Sequence, residues 1–301
     1  MTRILTALAS LACLALAAIG IAACSPLALF DAIGPRDSGG RQVLRDEPFG
    51  EGPRRRLDVY APVNAPENAP VLVFFYGGSW QNGSKADYAF VGQALAAQGF
   101  VTVLPDYRLY PEAPFPGFLE DGAAAVAWVR DNIATYGGDP RRIVLAGHSA
   151  GAYNAVMLGL DTRYLKAAGV DPKVIRAVAG LSGPYDFLPF DQDTSRKVFG
   201  QAPDPRATQP VTFAGPSAPP AFLATGADDT IVRPRNTQSL AETLRNARVP
   251  VQEWIYSGLD HADTLLALSV TFRSKAPELA EMAAFLRTQA ASRQSMTIGR
   301  R

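Results

Sequence analysis

An α/β architecture, a mostly parallel, doubly wound sheet with helices on both faces, is predicted by three observations on the sequence. Strand-length apolar runs alternate with helix-length stretches from residue 57 to residue 288. The spacing between successive strands leaves room for a crossover helix, the connection a parallel sheet requires. No internal repeat or second domain interrupts the pattern, and 48% of the 301 residues are hydrophobic against 19% charged, enough for one large core.

Taken in order, residues 57–60 and 71–75 read as strands, the second an unbroken Val71-Leu72-Val73-Phe74-Phe75 run. Residues 85–98 read as a helix capped by Ser84, and residues 100–104 as the next strand. A helix over 118–136 leads to a strand at 143–146, a helix at 150–160 and a strand at 174–181. Residues 221–225 and 251–256 complete the strands, with helices near 238–246 and 276–288 between and after them. The Pro-rich stretch 184–220 is long for a strand connection, and such excursions over an α/β sheet usually act as lids or substrate-binding loops. The globular body is expected over 42–290, followed by a polar tail at 291–301.

The first residues are set apart from that body. Arg3 is the only charge before Asp31, and residues 4–23 are rich in Leu, Ala and Ile, the outline of a secretory signal. A membrane-spanning anchor is the competing reading, since the run is about the ~20 residues a bilayer core needs. The ending Ile21-Ala22-Ala23-Cys24 resembles the bacterial lipobox. That resemblance implies a signal at 1–23, cleavage ahead of Cys24, lipid on Cys24 and placement in the cell envelope, anchored to a membrane. Such cleavage would discard Cys13 and Arg3 and leave a formally neutral body with no cysteine pair to form a disulfide. Residues 26–41 hold Gly34, Pro35, Ser38, Gly39 and Gly40, so 24–41 reads as a tether.

Composition excludes several functions. Two cysteines and two histidines are too few for zinc fingers or a disulfide framework, and no metal or other cofactor is expected. Lys+Arg 29 against Asp+Glu 28 gives a formal charge of +1, so no broad field gathers nucleic acid.

The chemistry is written at Gly147-His148-Ser149-Ala150-Gly151, between an apolar strand and a helical stretch. A serine at a sharp strand-to-helix turn is lifted above the sheet, and the flanking glycines spare the turn side-chain collisions. A serine hydroxyl needs a base. His148 reads as pointing sideways from the turn, which leaves His261, in a loop beyond the strand at 251–256. The acid that orients it must come from an earlier loop, and Gly226-Ala227-Asp228-Asp229-Thr230-Ile231-Val232 offers two candidates. Asp260 and Asp263 flank His261 and are expected to face solvent. The order is nucleophile, acid, histidine.

With these residues the chain resembles the α/β-hydrolase superfamily, in particular the bacterial esterase group of hormone-sensitive-lipase-like and feruloyl/acetylxylan-esterase-like enzymes, over about residues 55–290. Tyr76-Gly77-Gly78-Ser79-Trp80 is similar to that group's H-G-G-x-W loop, and Asp106-Tyr107-Arg108-Leu109-Tyr110-Pro111-Glu112 to its D-Y-R-L-x-P-E signature. Gly226-x-x-Asp229-x-x-Val232 matches the acid loop, so the resemblance implies Ser149, Asp229 and His261 as the triad, with Gly78, Ser79 and Ala150 as backbone donors to the oxyanion. Tyr76 departs from the usual histidine, which bears on the shape of that loop more than on the reaction. Trp80 reads as a packing anchor or an acyl-pocket wall. Asp106 and Arg108 read as a charged pair behind the loops. Tyr153, Tyr185, Phe187, Phe190 and Phe213 are pocket candidates, each equally readable as core.

The expected activity is carboxylic ester hydrolysis through an acyl-enzyme, on small-molecule esters with short-chain or aromatic acyl groups. An arylformamidase-like amide hydrolase shares the H-G-G-x-W loop and stays open. A prolyl-oligopeptidase-type peptidase would bring a large extra domain for which the N-terminal segment is short, and a non-catalytic surface-tethered binding protein of the same fold would show a broken triad.

Overall fold

The computed structural model describes residues 26–64 and 66–292. The predicted signal, Cys13, Cys24 and nearly all of the expected tail lie outside the described residues. The chain opens with a helix α1 (Pro26–Ile33), then strands β1 (Gly40–Pro48), β2 (Arg56–Pro62) and β3 (Ala69–Phe75). Helix α2 (Ala89–Ala97) leads to β4 (Val101–Pro105), α3 (Gly117–Asn132), β5 (Gly138–His148) and α4 (Ala150–Leu160). There follow α5 (Arg163–Ala167), β6 (Ile175–Leu181), α6 (Asp193–Phe199), β7 (Ala221–Gly226), α7 (Arg235–Asn246), β8 (Val251–Tyr256), α8 (Asp263–Leu266) and α9 (Glu278–Ala291).

The eight strands form one sheet in the order β1-β2-β4-β3-β5-β6-β7-β8. β1, β2 and β4 pair antiparallel, and every pairing from β4 through β8 is parallel. All seven residues of β3 and all six of β7 are buried, the signature of strands covered on both faces. Helices α2 and α9 meet on one face, where Arg287 donates to the Gln98 carbonyl, while α3 and α4 pack together on the other. The α/β expectation therefore holds. Among the described residues no helix is long and apolar enough to cross a membrane.

Several local expectations are corrected. Residues 26–41 are not a free tether: α1 is docked on the body. The Phe30 ring meets Phe90 edge-on at 5.4 Å and stacks on Phe272 at 5.7 Å. Asp31 is buried, accepts the Phe90 N–H at 2.7 Å and pairs with Arg36 at 2.7 Å. The Gly and Pro content marks only the turn after α1, and β1 begins directly at Gly40. The helix expected over 85–98 starts as a 3₁₀ turn, Lys85–Tyr88, and the Ser84 side chain makes no cap bond. Tertiary contacts set that turn instead: the Lys85 ammonium is paired with Asp58 at 2.8 Å and its N–H donates to Asp106 at 2.8 Å. Likewise the helix expected over 118–136 ends as a 3₁₀ turn, Ile133–Tyr136.

Candidate active site

At the carboxyl end of β5 the backbone turns sharply into α4. Ser149 takes φ 55° and ψ −122°, a conformation L-residues rarely adopt, and its N–H donates to the Leu181 carbonyl at 2.8 Å. A Cβ on Gly151 would lie 2.0 Å from the Phe75 carbonyl oxygen, so only glycine lets α4 dock against the end of β3. These constraints hold the Ser149 hydroxyl above the sheet edge.

Two further parallel strands deliver the remaining groups to the same edge. Asp229 follows β7 and His261 follows β8. His261 Nε2 lies 2.9 Å from Ser149 Oγ, and His261 Nδ1 lies 2.8 Å from Asp229 Oδ2. The other Asp229 oxygen accepts the N–H groups of Ile231 at 3.0 Å and Val232 at 2.8 Å. Burial alone would raise the Asp229 carboxyl, but the His261 ring, the Val232 N–H and the Ser182 hydroxyl outweigh it and hold the group below its ordinary range. It is thus an anion aimed at His261 Nδ1, which favours the tautomer with Nε2 free to accept the serine proton. Asp228 is exposed, Asp260 caps the N–H groups of Ala262 and Asp263, and Asp263 pairs with Lys275. Among the described residues, Asp229 is the acid that bonds the His261 ring.

His148 is more than a bystander. Its ring is buried beside that of His261, 4.9 Å between centroids, and its Nε2 bonds the His261 carbonyl at 2.8 Å. A carbonyl only accepts, so Nε2 carries the proton and Nδ1 is a bare acceptor, which has no partner among the described residues. Burial, then the neighbouring His261, pushes the His148 pKa down to about 3, so the ring stays neutral. The Thr264 hydroxyl donates to the same carbonyl at 3.1 Å and meets Ser182 at 3.0 Å. His148, Thr264 and Ser182 thereby fix the backbone that carries His261. No motif names this role, because it passes through a main-chain carbonyl.

Beyond β3, Gly78 takes φ 124°, and a Cβ there would lie 2.1 Å from the Asn82 carbonyl oxygen. Ser79 and Trp80 also have positive φ, both 56°, and the Gly78 carbonyl accepts from the N–H groups of Gln81 and Asn82. Among the hydrogen bonds of the described residues, none engages the N–H of Gly78, Ser79 or Ala150, the three groups the resemblance assigns to an oxyanion. Tyr76, standing where the resembled group has histidine, braces this loop: its hydroxyl accepts from Arg54 at 2.9 Å, its ring stacks on Tyr107 at 4.5 Å and its carbonyl accepts the Tyr107 hydroxyl at 2.7 Å. Arg54 also bonds the Gly83 and Tyr107 carbonyls, and the Tyr88 hydroxyl takes the Gly77 N–H. Sequence reasoning gave Arg54 and Tyr88 no part in the loop. Asp106 and Arg108 do not pair with each other: Arg108 forms a two-pronged bond to buried Asp121, which Arg55 also meets, while Asp106 takes the Lys85 N–H.

Ser149 opens on a cavity of about 180 Å³ walled by Ser79, Trp80, Phe187 and residues of the 184–220 and 229–236 segments. Trp80 is a packing anchor, since its indole N–H donates to Asn154 at 3.0 Å and its ring packs on Tyr153 and Phe199, and it also lines the cavity. Of the five aromatic pocket candidates, Phe187 reaches the cavity. Tyr153 and Tyr185 are fully buried, Phe190 packs on Phe187 and Phe199, and Phe213 lies under Arg163. Among the described residues no group of three or more His, Cys, Asp or Glu side chains is arranged to hold a metal ion.

Comparison with known proteins relates the chain to esterases. A family model described as BD-FAE matches residues 57–244. An isoprenylcysteine alpha-carbonyl methylesterase of Arabidopsis thaliana is 32% identical over 247 residues, covering 75% of this chain and 58% of the relative. Esterase LipC of Mycobacterium tuberculosis is 33% identical over 226 residues, covering 68% of this chain and 55% of the relative. The chain thus spans a little over half the length of these curated relatives. Among solved structures, esterase B from Lactobacillus Rhamnosis superposes with a TM-score of 0.75 over 93% of this chain and 96% of its own at 18% identity, a likeness of fold.

Proposed function

The chain belongs to the BD-FAE family, and from that premise we propose that it is a serine carboxylic ester hydrolase acting through an acyl-enzyme. One observation carries the reading: an unbroken hydrogen-bond chain from Asp229 through His261 to Ser149 faces a cavity rimmed by uncommitted backbone donors. In the proposed reaction His261 Nε2 takes the Ser149 proton as Oγ attacks the ester carbonyl carbon. Asp229 stabilises the imidazolium that forms. The N–H groups of Gly78, Ser79 and Ala150 receive the developing oxyanion, where each donor contributes about 3 to 4 kcal/mol. The imidazolium then protonates the leaving alcohol, and a water activated by the same histidine releases the acid. A cavity this small, with Trp80 and Phe187 in its walls, favours short or aromatic acyl groups.

Replacing Ser149 with Ala tests the reading. The variant is expected to keep its thermal transition and to lose about 10⁶-fold in kcat on 4-nitrophenyl acetate. Substantial activity in the folded variant would refute it.

We also propose that the protein is a lipid-anchored envelope protein, a reading that rests on Ile21-Ala22-Ala23-Cys24. Cys24→Ser should abolish lipid labelling and move the protein to the soluble fraction; labelling that persists would exclude Cys24 as the site.

A further inference from the structure

Two arginines in the wall of the candidate active site have no structural employment. Arg233 and Arg235 both line the cavity that holds Ser149, and both are solvent-exposed. Among the described residues neither guanidinium lies within ion-pair or hydrogen-bond distance of a carboxylate. Other arginines, such as Arg36, Arg55, Arg108, Arg163 and Arg273, each sit on an acid, and Arg54, Arg142 and Arg287 bond backbone carbonyls; what sets Arg233 and Arg235 apart from the remaining unpaired ones is their place in the wall beside Ser149.

Their position is also the wrong one for helix stability. Arg235 is the first residue of α7 and Arg233 precedes it by two, at the positive end of the helix dipole, and the first turn of α7 contains no acid. A cation there is disfavoured. The backbone that carries them is nonetheless firmly held. Ile231 and Val232 bond Asp229, and the Asn236 side chain accepts the N–H groups of Tyr185 and Asp186. The two arginine side chains therefore spring from a held backbone, four and six residues beyond the triad acid. Among the described residues, Asp191 is the only acid in the cavity lining, and Arg196 engages its carbonyl. The lining thus carries two positive charges against one negative.

We propose that this cleft selects esters bearing a second, anionic group, a carboxylate a few bonds from the ester, which Arg233 and Arg235 bind. The inference rests on the esterase reading of the same site and names its substrate class. Guanidinium matches carboxylate in a two-pronged, charge-assisted geometry that neutral esters do not exploit. The small cavity keeps ester and carboxylate close together. The chemistry is the same whether the carboxylate sits on the acyl side, as in a monoester of a dicarboxylic acid, or on the alcohol side, as in an acylated hydroxy acid.

The test compares kcat/KM on matched probes. Mono-4-nitrophenyl glutarate against 4-nitrophenyl hexanoate probes the acyl side, and 4-acetoxybenzoate against 4-acetoxybenzamide probes the leaving side, with 4-nitrophenyl acetate as the neutral reference. The protein should prefer the carboxylate in at least one pair by about tenfold or more. R233Q and R235Q should each lower that preference about threefold, and the double variant about tenfold, bringing the pair close to equal rates, while 4-nitrophenyl acetate turnover stays within twofold. The paired lysine variant, R233K with R235K, should retain part of the preference because charge is kept. Added salt at 0.5 M should weaken the preference, since both arginines are exposed. Equal rates within both pairs, or glutamine variants that slow neutral and anionic probes alike, would overturn the proposal while leaving the esterase reading intact. No turnover of any probe, 4-nitrophenyl acetate included, would overturn the esterase reading and this inference with it.

Discussion

At the scale of single residues, His148 illustrates how a catalytic geometry depends on a group that touches no reacting atom. The His261 carbonyl accepts from both His148 Nε2 and the Thr264 hydroxyl, so removing the first leaves the loop held by one bond where two now fix it. His148→Ala should lower kcat about 10- to 100-fold with KM changed less than threefold, since small misplacements of a reacting group have effects of that size. His148→Asn or His148→Gln, which restore an N–H donor, should recover part of kcat. Steady-state kinetics alongside a thermal melt separates this from a general loss of folding, which would lower active enzyme without the recovery. Ser149 was legible in the sequence because a sharp turn needs flanking glycines, and His261 because the chain offers only one other histidine as base, whereas the choice of Asp229 over Asp228 came from the resemblance of the acid loop. His148, Thr264 and Arg54 left no such mark, because each acts on a carbonyl or hydroxyl whose position only the folded chain determines.

At the scale of elements, the parallel strands were legible because an unbroken apolar run of strand length has few other uses. Their edges were not. β1 was missed since its sequence, GRQVLRDEP, is mostly polar, as befits an edge strand whose exposed charges discourage pairing with another chain. Helix α1 was read as part of a tether because Gly34, Pro35 and the glycines at 39 and 40 dominate the local composition, while the residues that dock it, Phe30 and Asp31, find their partners far along the chain at Phe90 and Phe272. The docking makes a quantitative prediction. Asp31→Ala strands the buried Phe90 N–H and releases Arg36, a loss of about 2 to 3 kcal/mol. For a body of this size the thermal midpoint should fall by roughly 5 to 10 °C. Because α1 lies away from the triad, kcat/KM at 25 °C should stay within twofold. An unchanged midpoint would mean that α1 adds nothing to the body.

At the scale of the whole molecule, the site is assembled from segments spread between Gly78 and His261, so its integrity is tied to the stability of the entire sheet and its covering helices. The stretch 184–220 could be recognised as a functional excursion by its length, but which of its residues face the cavity depended on packing: Phe187 does, Tyr185 does not. The body carries one evident electrostatic liability. Glu278, at the start of α9, is 0% exposed, and neither carboxyl oxygen has a hydrogen-bond partner among the described residues. Burial first, and Glu281 one turn along second, hold its pKa well above the ordinary carboxyl range. In the unfolded chain the same group titrates near its usual value of about 4.3. Below that value both states are protonated and Glu278 is neutral to stability. As pH climbs from there toward the raised folded pKa, the unfolded state gains by ionising while the folded state does not, so stability is progressively lost. Glu278→Met keeps the volume and removes the titration. Around pH 4 the thermal midpoints of the two proteins should differ only by the repacking, whereas by pH 8 the variant should melt above the parent, with the gap widening steadily between. Thermal melts across that range read the sign directly. A gap constant with pH would mean that Glu278 is solvated or paired in solution, and that the buried start of α9 contributes nothing to the alkaline loss of stability.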